Sequence, residues 1–104
     1  MVNQFKVLVE KMQNTPDGTG NLLDNSAIYA TSDIAFGRTH SVQEMPALIF
    51  GRAGGVFKGD QHHRAAKDNI SKVLFALVNA FGGNVTQFGV GAGMVTSGIP
   101  EIMA

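Results

Sequence analysis

The chain has 104 residues, of which 44% are hydrophobic and only 15% charged, enough for one domain with a modest core and too apolar for wholesale disorder. Eight basic residues balance eight acidic ones, so the basic excess that displaces phosphate counterions is missing and a nucleic-acid partner is not expected. There is no cysteine, which excludes disulfides, thiolate metal sites and a thiol nucleophile, and no apolar run is long enough to cross a membrane.

Residues 3–13 place Phe5, Leu8, Val9 and Met12 at i, i+3, i+4 and i+7, one apolar stripe of an amphipathic helix. Asn14-Thr15-Pro16-Asp17-Gly18 ends it with strong turn chemistry. Ala27-Ile28-Tyr29-Ala30-Thr31 reads as a short, nearly continuous apolar strand, and Pro46-Ala47-Leu48-Ile49-Phe50 as a second, closed by Gly51. Runs of that kind are usually buried on both faces, as in parallel sheets. Gly54 to Gly59 suits a small hairpin or edge segment. Ile70, Val73, Leu74, Leu77, Val78 and Phe81 then step by three and four, with Asp68 or Asn69 as N-cap and Gly82-Gly83 as the stop. The methionines and phenylalanines at helical spacing are most simply core. Residues 83–104 are Gly-rich and weakly patterned, a loop or tail with room for a short strand at Val85 to Phe88.

Helix, strand, strand, helix and loop give an α/β fold, a partial layered sheet of a few strands flanked by amphipathic helices. Strands buried on both faces need neighbours that this chain does not supply. The charged fraction lies well below the usual figure of about a quarter, so part of the surface is expected to be buried against something else. Both points predict a sheet completed by a homo-oligomer or by sequence beyond this chain. Residues 1–15 lack the basic start and continuous apolar stretch of a signal peptide.

The chemistry-bearing residues fall just past the strands, where ligands sit in open α/β sheets. Asp33 follows the first strand and His40 lies on the same loop; carboxylate and imidazole are standard ligands of divalent ions. The plainer alternative is that Asp33 caps its loop by accepting backbone N–H groups and His40 is an ordinary polar loop residue. Gln61-His62-His63-Arg64 is the second candidate stretch. Adjacent histidines in an extended segment point to opposite faces, so at most one would join His40. Arg38, Arg52 and Arg64 suit an anionic ester through charge-assisted hydrogen bonds, or are scattered surface charge. Gly89-Val90-Gly91-Ala92-Gly93 lacks the strand, the capped helix and the Lys-Ser/Thr pair of a nucleotide loop.

Leu22-Leu23-Asp24-Asn25-Ser26 running into Thr31-Ser32-Asp33, then His40 ahead of Met45-Pro46 and an apolar strand closed by Gly51, then "NISKVLFALVNAFG", resemble the C-terminal part of the alkaline-phosphatase and sulfatase-like superfamily. Within it the chain is most similar to a bacterial family, domain of unknown function fifteen-fifty-two, which likewise has Lys-Gly-Gly/Asp with a His and an Arg, here Lys58-Gly59-Asp60 with His62 and Arg64. The likeness covers about two thirds of the chain and is carried by order and spacing together. It implies that Asp33 and His40 are metal ligands for zinc, manganese or calcium in a parent enzyme, and only those two roles carry over; on the hydrolase reading His62 or Arg64 would contact the substrate. The superfamily commonly has His or Asn directly after the aspartate, where this chain has Ile34, which argues against a two-metal site. The superfamily's nucleophile and remaining ligands come earlier in its chain, so the resemblance implies a C-terminal fragment of a phosphate- or sulfate-ester hydrolase, inactive alone. The alternative is a non-catalytic α/β module that forms homo-oligomers.

Overall fold

The computed structural model describes residues 2–104. Helix α1 (Val2–Gln13) carries the expected stripe. Pro16 cannot extend it, and the last turn closes with Asn14 N–H donating to the Glu10 carbonyl and the Thr15 hydroxyl to that of Lys11 at 2.6 Å. The turn chemistry that follows makes a miniature antiparallel hairpin, β1 (Pro16–Asp17) with β2 (Gly20–Asn21), turning at Gly18 with φ +61°. Reciprocal bonds fasten its exit: Asn21 N–H donates to the Asp24 carboxylate, and Asp24 N–H to the Asn21 side-chain oxygen.

The principal strands are β3 (Ile28–Thr31) and β4 (Ala47–Phe50), and they pair antiparallel, Ile28 opposite Phe50 and Thr31 opposite Ala47. The expectation of strands buried on both faces in a parallel arrangement is therefore corrected. A continuous apolar run does not report strand direction, and here residues 32–46 fold back locally instead of crossing over. The Thr31 hydroxyl donates to the Pro46 carbonyl at 2.7 Å and closes the base of that loop. Alternation turns Ile49 toward the core and Phe50 to the other face, where it stacks on Phe5 of α1 at 5.8 Å between ring centroids.

Gly51 joins β4 to the core. Its φ is +105°, and a Cβ there would stand 2.2 Å from the Ser26 carbonyl oxygen. That close approach lets the next N–H groups reach the 23–26 turn: Arg52 donates to Leu23, Ala53 to Ser26 and Gly54 to Asp24, at 3.2, 2.9 and 2.8 Å. A 3₁₀ turn (Ala53–Gly55) then delivers Phe57, only 2% exposed, to the centre of the core. Here the C-terminal segment pairs with the chain in place of the expected local hairpin or edge. Phe57 bridges Met103, Lys58 N–H donates to the Ile102 carbonyl, and Ala104 N–H to that of Val56.

Helix α2 (Ser71–Ala80) ends at Gly82-Gly83, as the sequence implies. Gly82 N–H reaches the Asn79 carbonyl and Gly83 N–H that of Val78, the paired bonds of a Schellman stop. The N-cap position is Ile70, without a side-chain cap bond, instead of the expected Asp68 or Asn69; those two side chains act just upstream, Asn69 accepting Ser71 N–H and Asp68 accepting Asn69 N–H. The buried face is Val73 and Ala76 with Leu77 and Ala80, and Phe81 lies exposed. Small residues win this face because the chain comes close: a Cβ on Gly98 would lie 3.3 Å from that of Ala76. Residues 83–104 contain an isolated bridge, Phe88 with Val95, and 3₁₀ turns (Gly91–Gly93 and Pro100–Ile102), with Val95 buried. The expected strand at Val85 to Phe88 is reduced to that bridge.

The described residues form a small mixed α/β domain with two helices and two antiparallel two-stranded sheets. The buried apolar residues are Ala53, Phe57, Val73, Ala76 and Val95, none of them in α1 or the strands. Replacing Gly51 with Ala tests the central junction. With a left-handed φ and a backbone clash together, G51A should lose about 2–4 kcal/mol of stability in urea unfolding, whereas Gly18→Ala, where a Cβ meets nothing, should lose less.

Candidate functional site

Residues 32–46 and 59–69 carry the side chains singled out above. The first segment narrows at a bridge between Phe36 and Ser41, so that residues 37–40 form a tight turn. Asp33 lies in the bend at the loop's start, exposed. Its carboxylate accepts the Ser32 hydroxyl at 3.5 Å, and it is Ser32 that takes the Ile34 N–H at 3.4 Å, so the local cap is the serine. His40 ends the turn, exposed, with φ +51°.

The second segment is exposed from Gln61 to Asp68. Arg64 reaches back to the first. Its Nε and Nη2 donate to the two oxygens of Glu44 at 3.0 and 2.8 Å, a bidentate ion pair with each side chain mostly in solvent. The Arg64 hydrogen bonds, aided by its charge, hold the Glu44 carboxyl below the usual glutamate range. The same bonds raise the Arg64 guanidinium above its ordinary value. Asp68, next along, is lowered chiefly by its hydrogen bond from Lys72 at 2.8 Å and then by Asn69 N–H, with His63 a minor electrostatic contributor. His62 is exposed on the same segment.

The Glu44–Arg64 pair thus brings together the loops that carry Asp33 and His40 on one side and His62 and Arg64 on the other. Sequence reasoning missed Glu44. The available signal was its place just before the Met45-Pro46 strand start, but nothing local marks a carboxylate whose partner is twenty residues away. Among the described residues no three His, Asp or Glu side chains are grouped to hold a metal ion. Asp33 and His40 are two exposed donors, and a metal centre built on protein ligands uses three or four. No described helix is long and apolar enough to cross a membrane.

Four of the six non-glycine residues with left-handed backbone among the described residues lie in these two segments. His40, Glu44, Asp60 and Lys67 have φ between 51° and 59°, a region that non-glycine residues seldom occupy. Compared with protein-family models, with curated proteins and with solved structures, the chain has no significant match in any of the three.

The depressed carboxyl of Glu44 has a defined pH signature. Because its folded-state pKa lies below the ordinary value of 4.5, the pair's contribution is complete above that value and fades as pH falls through the depressed one. Carboxyl-detected NMR titration should find Glu44 below the ordinary glutamate range, and Arg64→Ala should return it there. An unchanged Glu44 midpoint in R64A would show that the pair does not persist in solution. High salt should weaken the difference, since the pair is solvent-exposed.

Proposed function

We propose that the chain acts as a non-catalytic α/β assembly module, whose partial sheet and thin core are completed by association with a second copy. The observation that supports this best is the amount of surface left open. The accessible surface is 7498 Å² for a chain of 11.0 kDa, about 1,900 Å² above the roughly 5,600 Å² typical of a folded monomer of that mass. The radius of gyration is 14.8 Å, against about 13 Å for an ordinary domain of this length. Both strands of the β3–β4 pair keep one edge unpaired among the described residues, and such edges are templates for further pairing. On this reading the strands find their missing neighbours in the partner, which supplies the layered sheet that the apolar runs imply. A low charged fraction and a net charge of zero remove the usual obstacle to self-association.

A second reading is favoured by the Glu44–Arg64 pair. The chain would be the C-terminal part of an alkaline-phosphatase or sulfatase-like hydrolase, without turnover alone. The juxtaposed loops would then be one wall of a pocket, with Asp33 and His40 as part of the metal ligand set and His62 and Arg64 toward an anionic ester. Bound there, a divalent metal would polarise the ester. The remaining ligands would have to come from other polypeptide. Arg64 would have to exchange Glu44 for the ester oxygens, a swap of one charge-assisted pair for another.

Light scattering on the full chain should give a mass at least double 11.0 kDa at micromolar concentration. A monodisperse monomer throughout would remove the assembly reading. For the hydrolase reading, zinc or manganese titrated by calorimetry should evolve heat that His40→Ala abolishes. Equal heats with and without the imidazole would dismiss His40 as a ligand in this chain.

A further inference from the structure

We propose that the face built around the Phe5–Phe50 stack is the surface on which a second copy of this chain docks, across a two-fold axis. The inference rests on the assembly reading and names the surface that performs it. The stack joins a helix and a strand, the two kinds of element that hold side chains most rigidly. Around it the apolar cover is incomplete. Val2 and Leu8 lie one turn to either side of Phe5 on the same stripe of α1, and they are 81% and 45% exposed. Leu48 stands two residues from Phe50 on the same face of β4 and is 55% exposed. Phe5, Val9 and Met12 are only partly covered, so a stripe of this length has no buried residue.

The charge distribution is compatible with a self-complementary contact. The β3 and β4 segments contain no charged residue, and on α1 the stripe is bordered by Lys6, paired with Glu10, beside Val2 and Val9, and by Lys11 beside Leu8. Two such faces meeting would keep these charges at the rim of the contact, where polar groups stay solvated. The aromatic pair would stand at the middle of the contact, the arrangement in which interface energy concentrates. Area also favours a second copy. The chain as a whole exposes about 1,900 Å² more than a folded monomer of its mass, above the roughly 800 Å² per partner that a standard stable interface buries. The other exposed apolar side chains are dispersed: Val7 lies off the stripe on α1, Leu22 just after β2, Phe81 at the C-cap of α2, and Phe36, Val42, Val90 and Met94 on turns and loops. They share no single helix or strand face with one another.

Sedimentation velocity on the full chain separates this proposal from the reading beneath it. Wild type should be dimeric. Leu8→Glu and Leu48→Glu, both at exposed positions, should each raise the dimer dissociation constant by about 100-fold, and Val90→Glu, at a position 87% exposed in the loop closed by the Phe88–Val95 bridge, should leave it unchanged. Far-UV circular dichroism should match wild type for all three. A wild-type dimer that both leucine variants retain would overturn the docking surface and leave the assembly reading standing. A monomeric wild type would overturn both. A second measurement does not depend on destabilising the dimer. Because the chain has no cysteine, a spin label at Leu48→Cys reports the interface without competing thiols. Its inter-subunit distance should be shorter than that from Val90→Cys, and the reverse order would also reject the surface.

Discussion

The close approach of Gly51 to the turn at residues 23–26 is the constraint on which the rest of this fold depends. Three successive N–H groups, from Arg52, Ala53 and Gly54, can reach three carbonyls only because no Cβ intervenes at position 51. That junction sets the path of the chain out of β4. It places Ala53 and Phe57 in the core, and Phe57 in turn receives α2 on one side and the C-terminal segment on another. A chain with so few buried side chains relies on backbone bonds of this kind to define a single arrangement, since its apolar contacts alone leave much freedom.

The same economy explains the open surface. The buried core is gathered on α2, the 53–57 segment and Val95, while α1 rests on the β3–β4 pair chiefly through aromatic stacking. Apolar residues in α1 and β4 thus have a helix-period or strand pattern that implies a buried face, without enough chain to bury it. In an isolated subunit that mismatch is unfavourable. The proposed association would cover that face, and the neutrality of the chain puts no net charge in the way of a second copy.

The candidate site illustrates how far local sequence reaches. Asp33 and His40 were legible as loop residues just beyond a strand, and His62 and Arg64 as a polar stretch ahead of a helix. That these two stretches are neighbours was not legible, because the Glu44–Arg64 bond spans the sequence and nothing in either segment names its partner. Asp33 as a loop cap was a reasonable expectation for an aspartate there. The adjacent Ser32 hydroxyl takes the N–H instead, a choice between neighbours that composition does not decide.

Periodicity and terminators were sufficient for both helices: α1 stops at the proline-bearing turn, and Gly82-Gly83 closes α2 with the expected pair of bonds. Those signals are local, because a helix satisfies its hydrogen bonds within a few residues. The direction of strand pairing, the inward face of α2 and the docking of the C-terminal segment were decided only by tertiary structure. An apolar run fits parallel or antiparallel neighbours equally, and Ala76 rather than Phe81 became the buried contact because Gly98 comes close enough to demand a small side chain. Such choices depend on groups distant in sequence meeting in space, which is information that no single segment contains.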